Sequence, residues 1–200
     1  DTVSIFFAIH YFLNDSQTLH GLLDNIDRNT KIDGYFVGCC YDGKIINDEF
    51  VKNNGNDLVY RYSDPIDIKN KGTEVLRIKK NYDTEMFDEN NYGNEIKVLV
   101  QSINKEHSEY LVNFDFLEKK MNKIGFDLVL SENFEYYTNI SHSNFDKINL
   151  SDDDRKISFL NRTFIFQRKS IPKSKDDLIH TKWSKESTKL EKNLNEKKSK

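Results

Sequence analysis

His10 and Tyr11 stand side by side where an apolar run, residues 3–9, gives way to the polar cluster Asn14-Asp15-Ser16. A run of that kind reads as a strand buried on both faces of a parallel sheet, and the polar cluster as a helix cap. In an open α/β sheet, ligands bind beyond the carboxyl ends of the strands, which is where this pair falls. An imidazole and a phenol there can wall and hydrogen-bond a ligand, or simply close the strand and pack on the next helix. Familiar catalytic signatures do not occur: no G-x-S-x-G, no H-E-x-x-H, no G-x-x-x-x-G-K and no G-x-G-x-x-G. Cys39 and Cys40 are sequence neighbours, whose side chains on a strand face opposite ways, so neither a disulfide nor a metal cluster follows from them. Any chemistry at His10 and Tyr11 therefore works without a metal or nucleophile of a recognised kind.

The elements that must position the pair can be read from spacing. Leu19, Leu22, Leu23 and Ile26 recur at helical intervals, and the helix should end near Asn29. Asp33-Gly34 makes a turn, and Tyr35-Phe36-Val37-Gly38-Cys39 is a second buried strand. Strand, helix, turn and strand in that order make a crossover unit, so a parallel α/β sheet is expected. Asp42-Gly43 opens a short helix through Phe50 and Val51. Residues 58–62, 74–79 and 96–103 read as strands of a sheet, with antiparallel pairing one open arrangement. Residues 113–124 form an amphipathic helix closed by Gly125, 126–130 the next strand, 151–158 a short capped helix and 161–167 a final alternating strand.

Composition sets the bounds. The chain has 200 residues, 36% hydrophobic and 12% aromatic, which suits a globular core. No apolar run reaches the roughly 20 residues of a membrane-spanning helix, so no membrane partner is expected. Residues 168–200 carry 11 basic and 5 acidic side chains while the whole chain has a net charge of −3. A basic tail thus follows an acidic body, and it reads as a solvated, disordered extension with some attraction for RNA phosphates.

Three blocks in order resemble the messenger-RNA cap guanine-N7 methyltransferase family, in its large DNA virus form. "SIFFAIHYFLNDSQTLHGLLDNIDRNTKIDGYFVGCCYDG" is similar to the family's strand, "HY", helix and "GGYFIGT". "YGNEIKVLVQSINKEHSEYLVNFDFLEKKMNKIGFDLVLSENFEYY" resembles its Glu-hydrophobic-Leu-Val stretch, and "LSDDDRKISFLNRTFIFQRK" its closing helix and strand. The resemblance covers residues 1–169 and implies part of a Rossmann-like, class I S-adenosylmethionine-dependent methyltransferase sheet with an inserted antiparallel region. Residues 170–200 would be the tail.

The resemblance implies roles by position. Phe7, His10, Tyr11, Glu109 and Asn161 would bind the cap guanine, with Glu109 accepting hydrogen bonds from its Watson–Crick edge. Phe6 and Tyr11 would touch the methyl donor, S-adenosylmethionine; no metal is implied. Two positions depart from the family pattern: Phe6 stands where members often carry glutamine, and Asn161 where many carry tyrosine, so it can hydrogen-bond but not stack. The glycine-rich donor loop is not among these residues, which are expected to be inactive by themselves, with a sheet edge left bare. Implied partners are GpppN-capped RNA, triphosphatase and guanylyltransferase domains in the same polypeptide, and an activating subunit. The expected location is cytoplasmic (a viral factory or virion) or nuclear if the protein is cellular. A non-catalytic stimulatory or RNA-binding subunit on the same fold is the alternative, for which Phe6 speaks.

Overall fold

The computed structural model describes residues 1–62, 72–87, 92–138 and 151–171. The basic segment beyond 171 lies outside them. Strand β1 (Thr2–Phe6) leads through a 3-10 turn (Ile9–Phe12) into helix α1 (Ser16–Asn29). Asp15 caps α1, accepting from the Thr18 amide at 2.9 Å while the Thr18 hydroxyl faces the Asp15 amide. Leu19, Leu22, Leu23 and Ile26 form the buried face of α1, as their spacing predicts. The chain then enters β2 (Tyr35–Tyr41), parallel to β1 with Thr2 opposite Tyr35 and Phe6 opposite Cys39.

Helix α2 (Gly43–Lys52) follows, and the strands β3 (Leu58–Tyr62), β4 (Thr73–Lys80), β5 (Glu95–Val100) and β6 (Lys105–Tyr110) make an antiparallel meander. Helix α3 (Phe114–Lys123) returns the chain to the first sheet, capped by Asn113 and stopped at Gly125, whose φ is 84°. Strand β7 (Phe126–Asn133), the short helix α4 (Phe134–Thr138), helix α5 (Asp152–Phe159) and β8 (Asn161–Arg168) complete the described chain. The first sheet has the order β1-β2-β8-β7, with β8 antiparallel to both neighbours. A mixed α/β sheet with an inserted antiparallel meander is the Rossmann-like arrangement that the resemblance implies; the parallel sheet read from spacing holds for β1 and β2, while β8 runs antiparallel.

Two apolar clusters hold these layers. One packs α1 and α3 on one face of the first sheet, around Ile9, Phe36, Phe126, Phe164 and Phe166. The other lies between α2 and the meander, around Ile46, Phe50, Leu76, Ile78 and Val98.

Three local expectations are corrected. The apolar run after Asp1 is not buried on both faces: Val3 and Ile5 pack on the first cluster while Thr2, Ser4 and Phe6 are exposed. It is also shorter than residues 3–9, because Phe7 takes a left-handed φ of 51° and turns the chain out of the strand. The strand read over 96–103 ends at Val100 in a turn, with Asn104 at φ 48°, and a further strand, β6, pairs back along it.

Candidate functional site at the carboxyl ends of the first strands

β1 and β2 run parallel, so their carboxyl ends lie on one side of the sheet, and the antiparallel β8 begins there. At the end of β1 the Phe7 amide donates to the Cys39 carbonyl at 2.9 Å, the last ladder bond before the turn. The 3-10 turn then folds His10 inward, 6% exposed, and leaves Tyr11 outward, 51% exposed. The two rings meet edge to face at 4.2 Å.

Glu109 arrives from the other layer. On β6 it sits opposite Ile96, a buried residue of β5, so its carboxylate shares the inner face of the meander. There Glu109 Oε2 lies 3.6 Å from His10 Nε2. Neither that oxygen nor either His10 ring nitrogen has a hydrogen-bond partner among the described residues, although all are buried. A 3.6 Å contact is an ion pair only if His10 is protonated, and burial opposes that. Desolvation lowers the His10 pKa to about 4 and raises that of Glu109 to about 7. The resting pair is therefore a neutral imidazole beside a carboxyl group balanced between its two forms at neutral pH. Buried polar atoms without partners are costly, and the Glu109 oxygen among them suits a ligand that brings its own N–H group.

The other expected residues surround this pair to different degrees. Phe7, 55% exposed, belongs to the same turn as His10. Phe6 falls on the opposite face of β1 from Val3 and Ile5 and is 61% exposed. Asn161 starts β8 opposite Tyr41 and is buried; its amide nitrogen donates to the Ile157 and Ser158 carbonyls, capping α5. Its Oδ1 is buried and accepts from no described residue. Tyr41 was not singled out in the sequence. It ends β2, and its phenol pKa is pushed far up by burial first and then by the Glu109 carboxylate and Tyr60. Tyr41 thus stays a neutral phenol between Glu109 and Asn161; the rule placing ligands beyond carboxyl strand ends applies to it as much as to Tyr11. Among the described residues no cluster of His, Cys, Asp and Glu could hold a metal ion.

The α/β sheet thus carries at its carboxyl edge a buried carboxylate oxygen without a donor, beside the exposed rings of Phe7 and Tyr11. The mRNA (guanine-N(7))-methyltransferase domain matches residues 1–196, and the chain belongs to that family. A probable mRNA-capping enzyme of Acanthamoeba polyphaga mimivirus is 29% identical over 148 residues, which are 74% of this chain and 12% of that protein. The chain therefore spans about an eighth of the length of that relative. Solved structures similar to it include an S-adenosylmethionine-dependent methyltransferase from Clostridium acetobutylicum, with a TM-score of 0.44 and 10% identity over 85% of this chain and 58% of that one. The CcbJ methyltransferase from Streptomyces caelestis gives a TM-score of 0.41 and 10% identity, over 84% of this chain and 60% of that one.

Proposed function

We propose that the intact protein transfers a methyl group from S-adenosylmethionine to N7 of the guanine in GpppN-capped RNA, and that His10, Tyr11 and Glu109 form the guanine side of its site. The observation that carries this reading is the meeting of His10 and Glu109, from two different layers, as buried polar groups with unmade hydrogen bonds, among them a carboxylate oxygen without a donor. Guanine presents an N1–H and an N2–H₂ on one edge, the donors that one carboxylate accepts; adenine offers no such pair, so its docking would leave Glu109 unmatched.

S-adenosylmethionine supplies an electrophilic methyl group on a sulfonium. Phe6 and Tyr11, half exposed or more beside the carboxyl end of β1, fit a cation of that kind through their ring faces. Guanine N7 has its lone pair available at neutral pH, so the chain needs no general base for it. His10, neutral at neutral pH, adds no cation beside a base that becomes positive as it is alkylated. The Glu109 carboxylate, accepting from the opposite edge of the base, stabilises that developing charge. The remaining contribution is alignment, which suits a site with no nucleophile of its own.

Docking guanine against Glu109 favours the ionised carboxyl, so its proton leaves as the base binds. In the intact polypeptide, kcat/KM for capped RNA should rise with pH through about 7 and then level off, reporting the free enzyme. Glu109→Gln should lower methyl transfer at least tenfold with the fold retained. Wild-type rates in that variant would remove Glu109 from the site. An intact protein that binds GpppG but transfers no methyl group would point instead to the stimulatory-subunit reading.

A further inference from the structure

β1 and β7 are the outer strands of the order β1-β2-β8-β7. With neighbouring strands about 4.8 Å apart, they lie about 14 Å from each other. Yet the rings of Phe7, just after β1, and Phe134, just after β7, meet at 6.4 Å between centroids and 76° between planes. Both chains turn inward to achieve this, Phe7 by its left-handed backbone and Phe134 by opening α4 directly after Asn133. The pair closes over the ends of β2 and β8, where Tyr41 and Asn161 face each other.

Phe134 is held by more than its own packing. Asn133 Nδ2 donates to the carbonyls of Phe159 and Asn161 at 2.8 and 2.9 Å, and its Oδ1 accepts from the Glu135 amide at 2.9 Å. The Tyr137 hydroxyl lies 2.7 Å from Thr163 Oγ1, fixing the other end of α4 to β8. A phenylalanine at positive φ is strained, and more than half of the Phe7 ring remains in water. An aromatic pair anchored by this much hydrogen bonding, with Phe7 strained and mostly uncovered and Phe134 partly exposed, fits a surface awaiting a flat aromatic ligand.

We infer that Phe134 is a further guanine-binding residue, its ring making with Phe7 the aromatic corner against which the base packs. The inference rests on the guanine reading above. Two rings near perpendicular form a corner, so a base stacked on one ring meets the other edge-on, both favourable geometries. Phe134 also supplies the aromatic surface that Asn161, which has no ring and donates to the α5 carbonyls, cannot.

The test compares Phe134→Leu, which keeps apolar bulk and loses the π face, with Phe134→Tyr, in the intact polypeptide. Affinity for the dinucleotide GpppG and the KM values for capped RNA and S-adenosylmethionine are measured for each, with thermal stability. Phe134→Leu should weaken GpppG binding about tenfold, within the range of base–aromatic stacking, and raise KM for capped RNA while leaving that for S-adenosylmethionine unchanged. Phe134→Tyr should restore both. Wild-type GpppG affinity in Phe134→Leu overturns the assignment, and so does an equal loss for both substrates with a lowered melting point. Glu109→Gln separates this failure from a failure of the guanine reading. If it loses GpppG affinity while Phe134→Leu does not, only Phe134 is misassigned; if neither variant loses affinity, guanine does not bind here.

Discussion

His10 and Glu109 make a pair whose protons change places on folding. Unfolded, an ordinary histidine titrates near 6.5 and an ordinary glutamate near 4.5, so between those values the proton rides on the imidazole. Folded, the imidazole titrates near 4 and the carboxyl near 7, so the same proton rides on Glu109. Each state then binds one proton, and the pair adds almost no slope to stability across roughly pH 4.5–6.5. Breaking the pair exposes two opposite slopes. With Glu109→Gln, only the depressed His10 remains: the unfolded state binds more protons, and stability rises as pH goes from about 4 to 6.5. With His10→Asn, only the raised Glu109 remains: the folded state binds more protons, and stability falls as pH goes from about 4.5 to 7. Thermal melts of the three proteins over pH 4.5–7.5 check this, relative to wild type. Parallel curves would mean that His10 and Glu109 are not both desolvated. Glu109→Gln should also melt higher than wild type at pH 7.5, because it relieves a buried charge that function requires.

At the scale of elements, Asp42 joins two layers. Its Oδ1 caps α2, accepting from the Lys44 and Ile45 amides, while its Oδ2 binds Arg162 of β8 at 2.8 and 2.7 Å. The Arg162 guanidinium lies over the Phe114 ring at 4.5 Å, so the pair has an apolar lid. Removing one partner of a buried ion pair leaves the other charge stranded, and Asp42→Ala should cost about 3–5 kcal/mol in urea unfolding. Asp42→Asn keeps a capping oxygen and should cost less; equal costs would show that the Arg162 ion pair, not capping, carries the stabilisation. The helix start at Asp42-Gly43 was legible from the sequence, but its partner is 120 residues away and no local spacing reveals it. The same limit explains β6. Lys105–Tyr110 is a polar edge strand without apolar alternation, so periodicity passes over it, and the apolar Ile103 extends β5 falsely past its turn. Glu109 was reached through family resemblance; the structure adds the strand that carries it to His10.

The described residues build two cores, with the candidate site on their seam. Leu111 and Val112, adjacent in sequence, enter different cores, Leu111 that of the meander and Val112 that of the first sheet. His10 hangs from one layer and Glu109 from the other, so their 3.6 Å separation measures how the layers are docked. The individual helices and most strands were visible as patterns, whereas this docking depends on close backbone approach that only particular glycines permit. At Gly43 a Cβ would stand 2.4 Å from the Val112 carbonyl oxygen, three residues beyond Glu109. A methyl group there cannot be absorbed by rotating a side chain; α2 and the exit of β6 must part. Gly43→Ala should therefore destabilise the protein by about 1–3 kcal/mol. It should also lower GpppG affinity and methyl transfer of the intact polypeptide at least tenfold at a temperature where it stays folded. Gly21→Ala is the matched control: on α1 its Cβ meets nothing within 4 Å, and the gain in helix propensity should leave stability equal or up to about 1 kcal/mol higher. If Gly43→Ala loses stability but binds GpppG as wild type does, the layers can shift without moving Glu109 from His10. The site would then belong to one layer and not to the seam.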